Sequence, residues 1–302
     1  MPALSRPFKN QRYVPYVFVL PFVLSAGLFF VYPVIQTIIM SFQEIAPGLR
    51  EFVGLDNYRR LANPRFYTAL RNSFVYTFLT IAVLIPVPMV LAVLLNSARS
   101  GAGRSAFTVL RGMLFLPALM SVVVVGTVFR LMFASSESAI ANTVAQLLGF
   151  PPTEWLLAGP TTAMVLLVLV ATWRWTGINI IYFLAGLQQI PNELYESAEL
   201  DGANAFQKFR RITVPLLRPV TVFVLTISVF GGFAMFEESF VLWGPTSPGN
   251  VGLTMVKYIY QQGFQSAQMG LGSAVGITLL AIVFLVSLAL LKLTGFFRQG
   301  DE

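Results

Sequence analysis

Between two long apolar segments the chain reads Glu196-Ser197-Ala198-Glu199-Leu200-Asp201-Gly202-Ala203-Asn204-Ala205-Phe206-Gln207-Lys208-Phe209-Arg210-Arg211-Ile212-Thr213-Val214-Pro215, a charged island in an otherwise apolar surrounding. Just upstream, Asn192 follows Pro191 and is expected to cap a helix beginning near Glu193. Glu193, Glu196 and Glu199 would then place negative charge in its first turns. Gly202 allows a sharp reversal. From Ala203 to Ile212 a second short helix is predicted, with Lys208, Arg210 and Arg211 toward its C-terminal end, where the helix dipole favours cations. Pro215 and Pro219 mark entry into the next apolar segment. The expected product is two short helices around a small-residue elbow, spanning 190–215, with Ala198, Leu200 and Ala203 available for docking. Taken alone, such a segment is equally a solvated amphipathic connector.

Outside this island the composition is that of a membrane protein: of 302 residues 56% are hydrophobic and 11% charged, with a mean hydropathy of +0.73. A spanning helix needs about 20 predominantly apolar residues. Six candidate segments meet that need. The first follows a basic tail carrying Arg6, Lys9 and Arg12 and stays uncharged as far as Glu44, too long for a cleaved signal peptide. The second runs from Asn72 to Ala98 through Pro86 and Pro88, and the third from about Thr108 to Met132. The fourth covers Thr161 to Leu187, the fifth Leu216 to Phe240, and the sixth Leu271 to Leu291. Residues 43–68, rich in Pro and Gly, read as an external loop with a short surface helix. Tyr258 to Gln268 reads as an external segment re-entering the membrane edge.

The distribution of Lys and Arg orients these six spans. Arg6, Lys9, Arg12, Arg99, Arg104, Arg111, Lys208, Arg210, Arg211, Arg218, Lys292 and Arg298 fall on one side. Arg50, Arg59, Arg60, Arg65, Arg71 and Lys257 fall on the other. The excess predicts that both termini and the 190–215 loop are cytoplasmic. Two units follow: a basic tail at 1–12 and a six-helix membrane domain at 13–302. The net charge of +7 is spread among the spans, which suits anionic lipid headgroups and not nucleic acid. With no Cys and no His, thiolate and imidazole metal ligands and histidine bases are excluded, and no catalytic residue is assigned.

The spacing of Glu196, Ala198, Gly202, Ile212 and Pro215 resembles the cytoplasmic loop motif of binding-protein-dependent ABC importer permeases, which begins Glu-Ala-Ala and ends Ile-x-Leu-Pro. Ser197 and Val214 replace an Ala and a Leu of that pattern and keep its size class. The resemblance covers nearly the whole chain. Phe52-Val53-Gly54-Leu55-Asp56-Asn57-Tyr58, Trp173-Arg174-Trp175-Thr176-Gly177-Ile178-Asn179, Phe183-Leu184-Ala185-Gly186-Leu187-Gln188 and Tyr258-Ile259-Tyr260-Gln261 are similar to carbohydrate-uptake permeases of the MalF type. Phe236-Glu237-Glu238-Ser239-Phe240-Val241-Leu242-Trp243 with Ser247-Pro248-Gly249-Asn250 resembles their arabinose or arabino-oligosaccharide branch. The likeness implies an all-α membrane protein with the type I ABC importer permease fold in a bacterial or archaeal cell membrane. Its implied partners are a second homologous permease, two ATP-binding subunits and an extracytoplasmic sugar-binding protein. It also implies that Glu196, Ser197, Ala198, Asp201, Gly202 and Ala203 touch the ATPase. The chain has no Gly-x-x-x-x-Gly-Lys-Ser/Thr phosphate loop of its own. No cofactor is expected in it, ATP and Mg being used by the partner subunit.

Sugar recognition needs aromatic faces and hydroxyl-binding groups in one cavity. The fourth span offers Arg174, Trp175, Asn179 and Tyr182 at helical spacing, and the fifth Ser228, Gly232, Met235 and Phe236. By resemblance to the maltose-type permease, Arg174, Trp175, Ile178, Ser228, Gly232 and Met235 would line a sugar site. An interfacial aromatic belt accounts equally well for Trp173 and Trp175, and helix packing for Met235 and Phe236. Arg174 differs, because a cation within a span is costly unless paired or facing water; Glu237 and Glu238 are candidate partners. Two alternatives remain at this level: an importer of the same design for a non-sugar solute, and a stand-alone secondary carrier.

Overall fold

A computed structural model of the chain describes residues 14–98 and 104–295. The basic tail, the turn at 99–103 and Arg298 lie outside them. The first span is α1 (Val14–Ala26) continued through a π-helical turn at Gly27–Val31 into α2 (Tyr32–Ser41). The apolar residues of α1 are exposed, Phe18 and Phe22 among the most so, as expected of a helix meeting lipid or a partner helix. α2 packs against the last long helix.

Residues 43–68 depart from the expected loop. Gln43–Ala46 (β1) and Leu49–Phe52 (β2) form a two-stranded antiparallel hairpin around Pro47-Gly48, pairing Gln43 with Phe52. The expected short helix follows as α3 (Asp56–Arg60). Its buried Asn57 donates to the carbonyls of Ser41 and Gln43, fixing the hairpin to the end of the first span. The second span then starts earlier than its charge-free core. α4 (Pro64–Leu84) is capped by the Asn63 side chain, which accepts from Phe66 N, and takes Pro64 at its first turn. Arg65 and Arg71 are thus helical and not in a loop.

At Ile85 the second span breaks into α4 and α5 (Pro86–Ala98). The third is not one helix. α6 (Arg104–Leu119) and α7 (Val122–Met132) meet at 97°. Pro117 sits near the end of α6, and Ser121 is extended at ψ 136°, so the helical ladder stops and restarts in a new direction. A connecting segment follows with α8 (Ile140–Leu147), where buried Asn142 Oδ1 accepts from Thr153 N and Trp155 Nε1. α9 (Pro160–Leu187) is the fourth span, continuous as expected.

The island folds as α10 (Asn192–Leu200), α11 (Ala205–Lys208), a π-helical turn at Phe209–Thr213 and α12 (Val214–Leu216). α13 (Arg218–Phe233) opens the fifth span, which breaks at Ala234–Phe236, before Glu237, and resumes as α14 (Glu237–Trp243). α15 (Met255–Tyr260) and a π-helical turn at Gln261–Gln265 precede the last span. α16 (Met269–Leu293) is the sixth span. Among the described residues, five helices are long and apolar enough to cross a membrane, or six when the bent α6–α7 pair is counted as one span. The protein is therefore mainly helical, with one small hairpin outside the spans.

Three apolar clusters hold the bundle. One joins Met89, Ala92 and Leu95 to Phe183, Leu184, Leu187 and Leu217. A second joins Tyr76, Val125, Phe129, Leu167, Val170 and Met235. The third ties Phe66 and Ala69 to Met255, Tyr258 and Val275. Around the third lie arginines whose side of the bundle runs against the charge asymmetry. Arg60 lies 3.8 Å from Glu44 and donates to Gln268 Oε1, and Arg65 donates to Gln261 Oε1. Arg60 thus ties α3 to the N-cap of α16, and Arg65 ties the start of α4 to the π-helical turn at Gln261–Gln265. Lys257, read as an outer surface cation, is buried and reaches Ser239 O at 3.4 Å and Oγ at 3.2 Å.

Candidate functional site

Where α4, α9 and α13 come together with the break at Ala234–Phe236, a cavity of about 500 Å³ opens between the first two apolar clusters. Its size is in the range of small-ligand sites. Arg174, Trp175, Ile178, Asn179, Ser228, Gly232 and Met235 all line it, so two stretches far apart in sequence converge on one space. Tyr182 and Phe236 are there as well. Tyr76, Thr80 and Leu84 of α4 also line it and were not anticipated. Tyr76 and Thr80 are one turn apart on a span that also carries Asn72, Ser73 and Thr77, so their spacing alone did not single them out.

The charged core of the cavity is an ion pair. Arg174 Nη1 donates to Glu238 Oε1 at 3.1 Å, with side-chain exposures of 11% and 9%. The chain break before α14 puts Glu238 in the first turn of that helix, aimed at α9. The Arg174 guanidinium also sits 4.9 Å from the centre of the Trp175 ring, a cation–π distance. Glu237 lines the same space, while Arg174 Nε is buried without a hydrogen-bond partner. The sequence offered either glutamate as the partner; the geometry selects Glu238.

Two lining residues have architectural work too. Pro88 has no N–H to donate to the Leu84 carbonyl, so the break between α4 and α5 orphans that acceptor. Asn179 Nδ2 supplies the missing donor at 3.1 Å. Gly232 lets α13 lie against α4: a Cβ there would come within 2.6 Å of Thr77 Oγ1 and 2.8 Å of its Cγ2. The cavity wall is thus built from the same contacts that join the helices.

The 190–215 elbow stands apart from the cavity. Pro191 occupies the N-cap of α10 with no side-chain bond, so Asn192 is the first helical residue and not the cap, a correction of the sequence expectation. The stop of α10 is a Schellman arrangement. Ala203 N donates to Ala198 O at 2.8 Å, Gly202 N to Glu199 O at 3.0 Å, and Gly202 adopts φ +80°. The second helix begins at Ala205 because Asn204 and Gln207 form a reciprocal capping box. Lys208 pairs with Glu199 across the turn, and Tyr195 OH bonds Thr213 Oγ1 at 2.9 Å. Glu196, Ser197, Asp201 and Gly202 are exposed, and Ala198 and Ala203 half-buried. Leu200, 90% exposed, and Phe206 present apolar surface outward. On the inner side Tyr195, Phe209 and Ile212 pack on Leu187, Ile190 and Leu217, in the same cluster as Ile180 and Phe183 beside the cavity.

These features define a polytopic helical protein with a charged central cavity and an ordered polar elbow between two spans. Residues 61–294 match the family described as binding-protein-dependent transport system inner membrane component. The chain belongs to that family of transport permeases and is a multi-pass inner-membrane protein. It is 55% identical, over 96% of its length and 91% of the relative's, to the arabinooligosaccharides transport system permease protein AraP of Bacillus subtilis (strain 168). Its fold is similar to that in a crystal structure of a bacterial ABC transporter involved in the import of the acidic polysaccharide alginate, with a TM-score of 0.82, 23% identity and 97% of each chain covered. It is also similar to the alginate transporter crystallised in complex with an alginate pentasaccharide-bound periplasmic protein, with a TM-score of 0.80 and 23% identity over 95% of this chain and 96% of that one.

Proposed function

We propose that the chain is one membrane half of an ATP-driven importer for oligosaccharides. It performs no chemistry of its own. The cavity carries this reading: seven residues chosen from two distant stretches line one ligand-sized space, in a chain that shares 55% identity with an arabinooligosaccharide permease. Arg174, Trp175, Ile178, Asn179, Ser228, Gly232 and Met235 contact the sugar, with Trp175 offering a ring face and Arg174, Asn179 and Ser228 offering polar groups.

In this reading a second, homologous permease completes the path, and an extracytoplasmic binding protein delivers cargo. Two separate subunits hydrolyse ATP with Mg. Glu196, Ser197, Ala198, Asp201, Gly202 and Ala203 dock on one of them from the cytoplasm, where both termini also lie. The exposed Leu200 and Phe206 support docking, since apolar side chains on a polar elbow gain by being covered. Closure of the ATPase pushes the elbow, and its packing on Leu187 and Leu217 passes that displacement to α9 and α13, which wall the cavity.

Reconstitution tests the proposal. Proteoliposomes with both permeases, the ATPase and the binding protein should accumulate arabino-oligosaccharide only with ATP inside. Concentrative uptake by this chain alone would contradict it and favour a self-sufficient carrier.

A further inference from the structure

The charges that line the cavity are unevenly available to a ligand. Among the described residues, the lining groups with formal charge are Arg174, Glu237 and Glu238, a net charge of −1. The single cation is already engaged. One guanidinium nitrogen is bonded to Glu238 at 3.1 Å, and its face rests over Trp175. Lys257, next in sequence to the lining residue Val256, is itself buried against Ser239 and does not line the space. A ligand carboxylate entering here would either meet two glutamates with no free cation, or displace Glu238 and leave unpaired a carboxylate that is only 9% exposed. Either course is unfavourable. A hydroxyl meets neither obstacle. Being uncharged, it leaves the Arg174–Glu238 pair in place, and it donates to lone pairs that Glu238 retains beside its bond to Arg174.

We infer that Glu238 sets the charge specificity of this cavity: by occupying Arg174 it reserves the site for neutral glycosides and rejects glycosides carrying a carboxylate. This rests on the sugar reading above and adds to it the class of sugar admitted. It also makes Glu238 a specificity-determining residue and not only a structural counter-ion.

The test is a tryptophan-fluorescence titration of the permease–ATPase complex in nanodiscs, without binding protein, so that delivery does not filter the ligand. The probes are arabinobiose, its reduced alditol arabinobiitol and its oxidised aldonate arabinobionate. The last two differ only by CH₂OH against COO⁻. Wild type should bind arabinobiitol at least about 10-fold more tightly than arabinobionate, a difference of about 1.4 kcal/mol. In Glu238→Gln, which frees Arg174, the ratio should fall to within about threefold. In Arg174→Gln/Glu238→Gln, which removes the cation as well, discrimination should return. Equal binding of the two by wild type overturns the inference while leaving the sugar reading intact. An unchanged ratio in Glu238→Gln, or a double variant as permissive as the single, overturns it too. If none of the three probes binds wild type, the sugar reading itself fails. Should Glu238→Gln not be recovered from the membrane, the wild-type ratio decides the matter.

Discussion

The cavity and the elbow are both polar features in an apolar chain, yet they are stabilised in opposite ways. At the elbow nearly every polar bond is local. The Schellman bonds, the Asn204–Gln207 box and the Glu199–Lys208 pair each close within ten residues. The segment is therefore ordered by its own sequence and keeps its outer face free. In the cavity the bonds cross the bundle: Arg174 to Glu238 spans 64 residues and Asn179 to Leu84 spans 95. A surface that must meet another protein can be self-contained. A site inside a membrane bundle has to be held by the helices it separates.

That contrast fixes the order of expected effects. The largest should come from Glu238→Ala, which leaves Arg174 as an unpaired charge inside the bundle. Thermal unfolding in detergent should show a loss of roughly 3–5 kcal/mol, and a variant that melts like wild type would mean the pair is not closed in the protein. Next, Gly202→Asp should strain the elbow locally, since Gly202 sits at φ +80°, but a Cβ there meets nothing within 4 Å and Asp tolerates the left-handed backbone better than most residues, so the chain should still insert. Uptake should fall by about 100-fold or more, equal to about 2.7 kcal/mol of lost coupling, while ATP hydrolysis continues. Undiminished uptake would remove the elbow from the drive mechanism.

A smaller effect is expected from Asn179→Ala, which again orphans the Leu84 carbonyl. A stability loss of about 1–3 kcal/mol should accompany it. Asn179→Asp should not rescue it, since an ionised carboxylate has no N–H to donate. Smallest of all is Lys208→Ala. Glu199 is largely exposed, so a loss below about 1 kcal/mol is expected, read as a shift in melting temperature of a degree or two. A large loss there would mean that the elbow depends on more than its local bonds.

The same contrast explains what was legible in the sequence. The elbow was readable because its rules are local: a glycine after a short helix, a run of small residues, prolines at the next span. Even there Asn192 was given the cap that Pro191 holds, because both residues suit a helix start. The long spans were readable from length and polarity, but their breaks were not. Pro117 and Ser121 turn the third span by 97°, although a proline in a membrane helix often does no more than kink it. The hairpin at 43–52 was hidden by the mixed polarity of its strands. In the cavity, residues on the fourth and fifth spans were found from helical spacing. Tyr76 and Thr80 were missed because the cavity walls they face lie on other helices, while the Thr80 hydroxyl is satisfied within its own helix by the Tyr76 carbonyl. Arg174 announced a partner by the cost of its charge, but only the break at Ala234–Phe236 shows why Glu238 and not Glu237 reaches it.

The central claim is that the elbow receives the work of ATP hydrolysis on the cytoplasmic side. The natural chain has no cysteine, so Leu200→Cys places a single thiol at its most exposed apolar position. With benzophenone-maleimide attached and irradiated in membranes holding the whole complex, this thiol should form an adduct with the ATP-hydrolysing subunit. In intact cells it should be shielded from an impermeant maleimide added outside. Labelling from outside, with no adduct to the ATPase, would contradict the account.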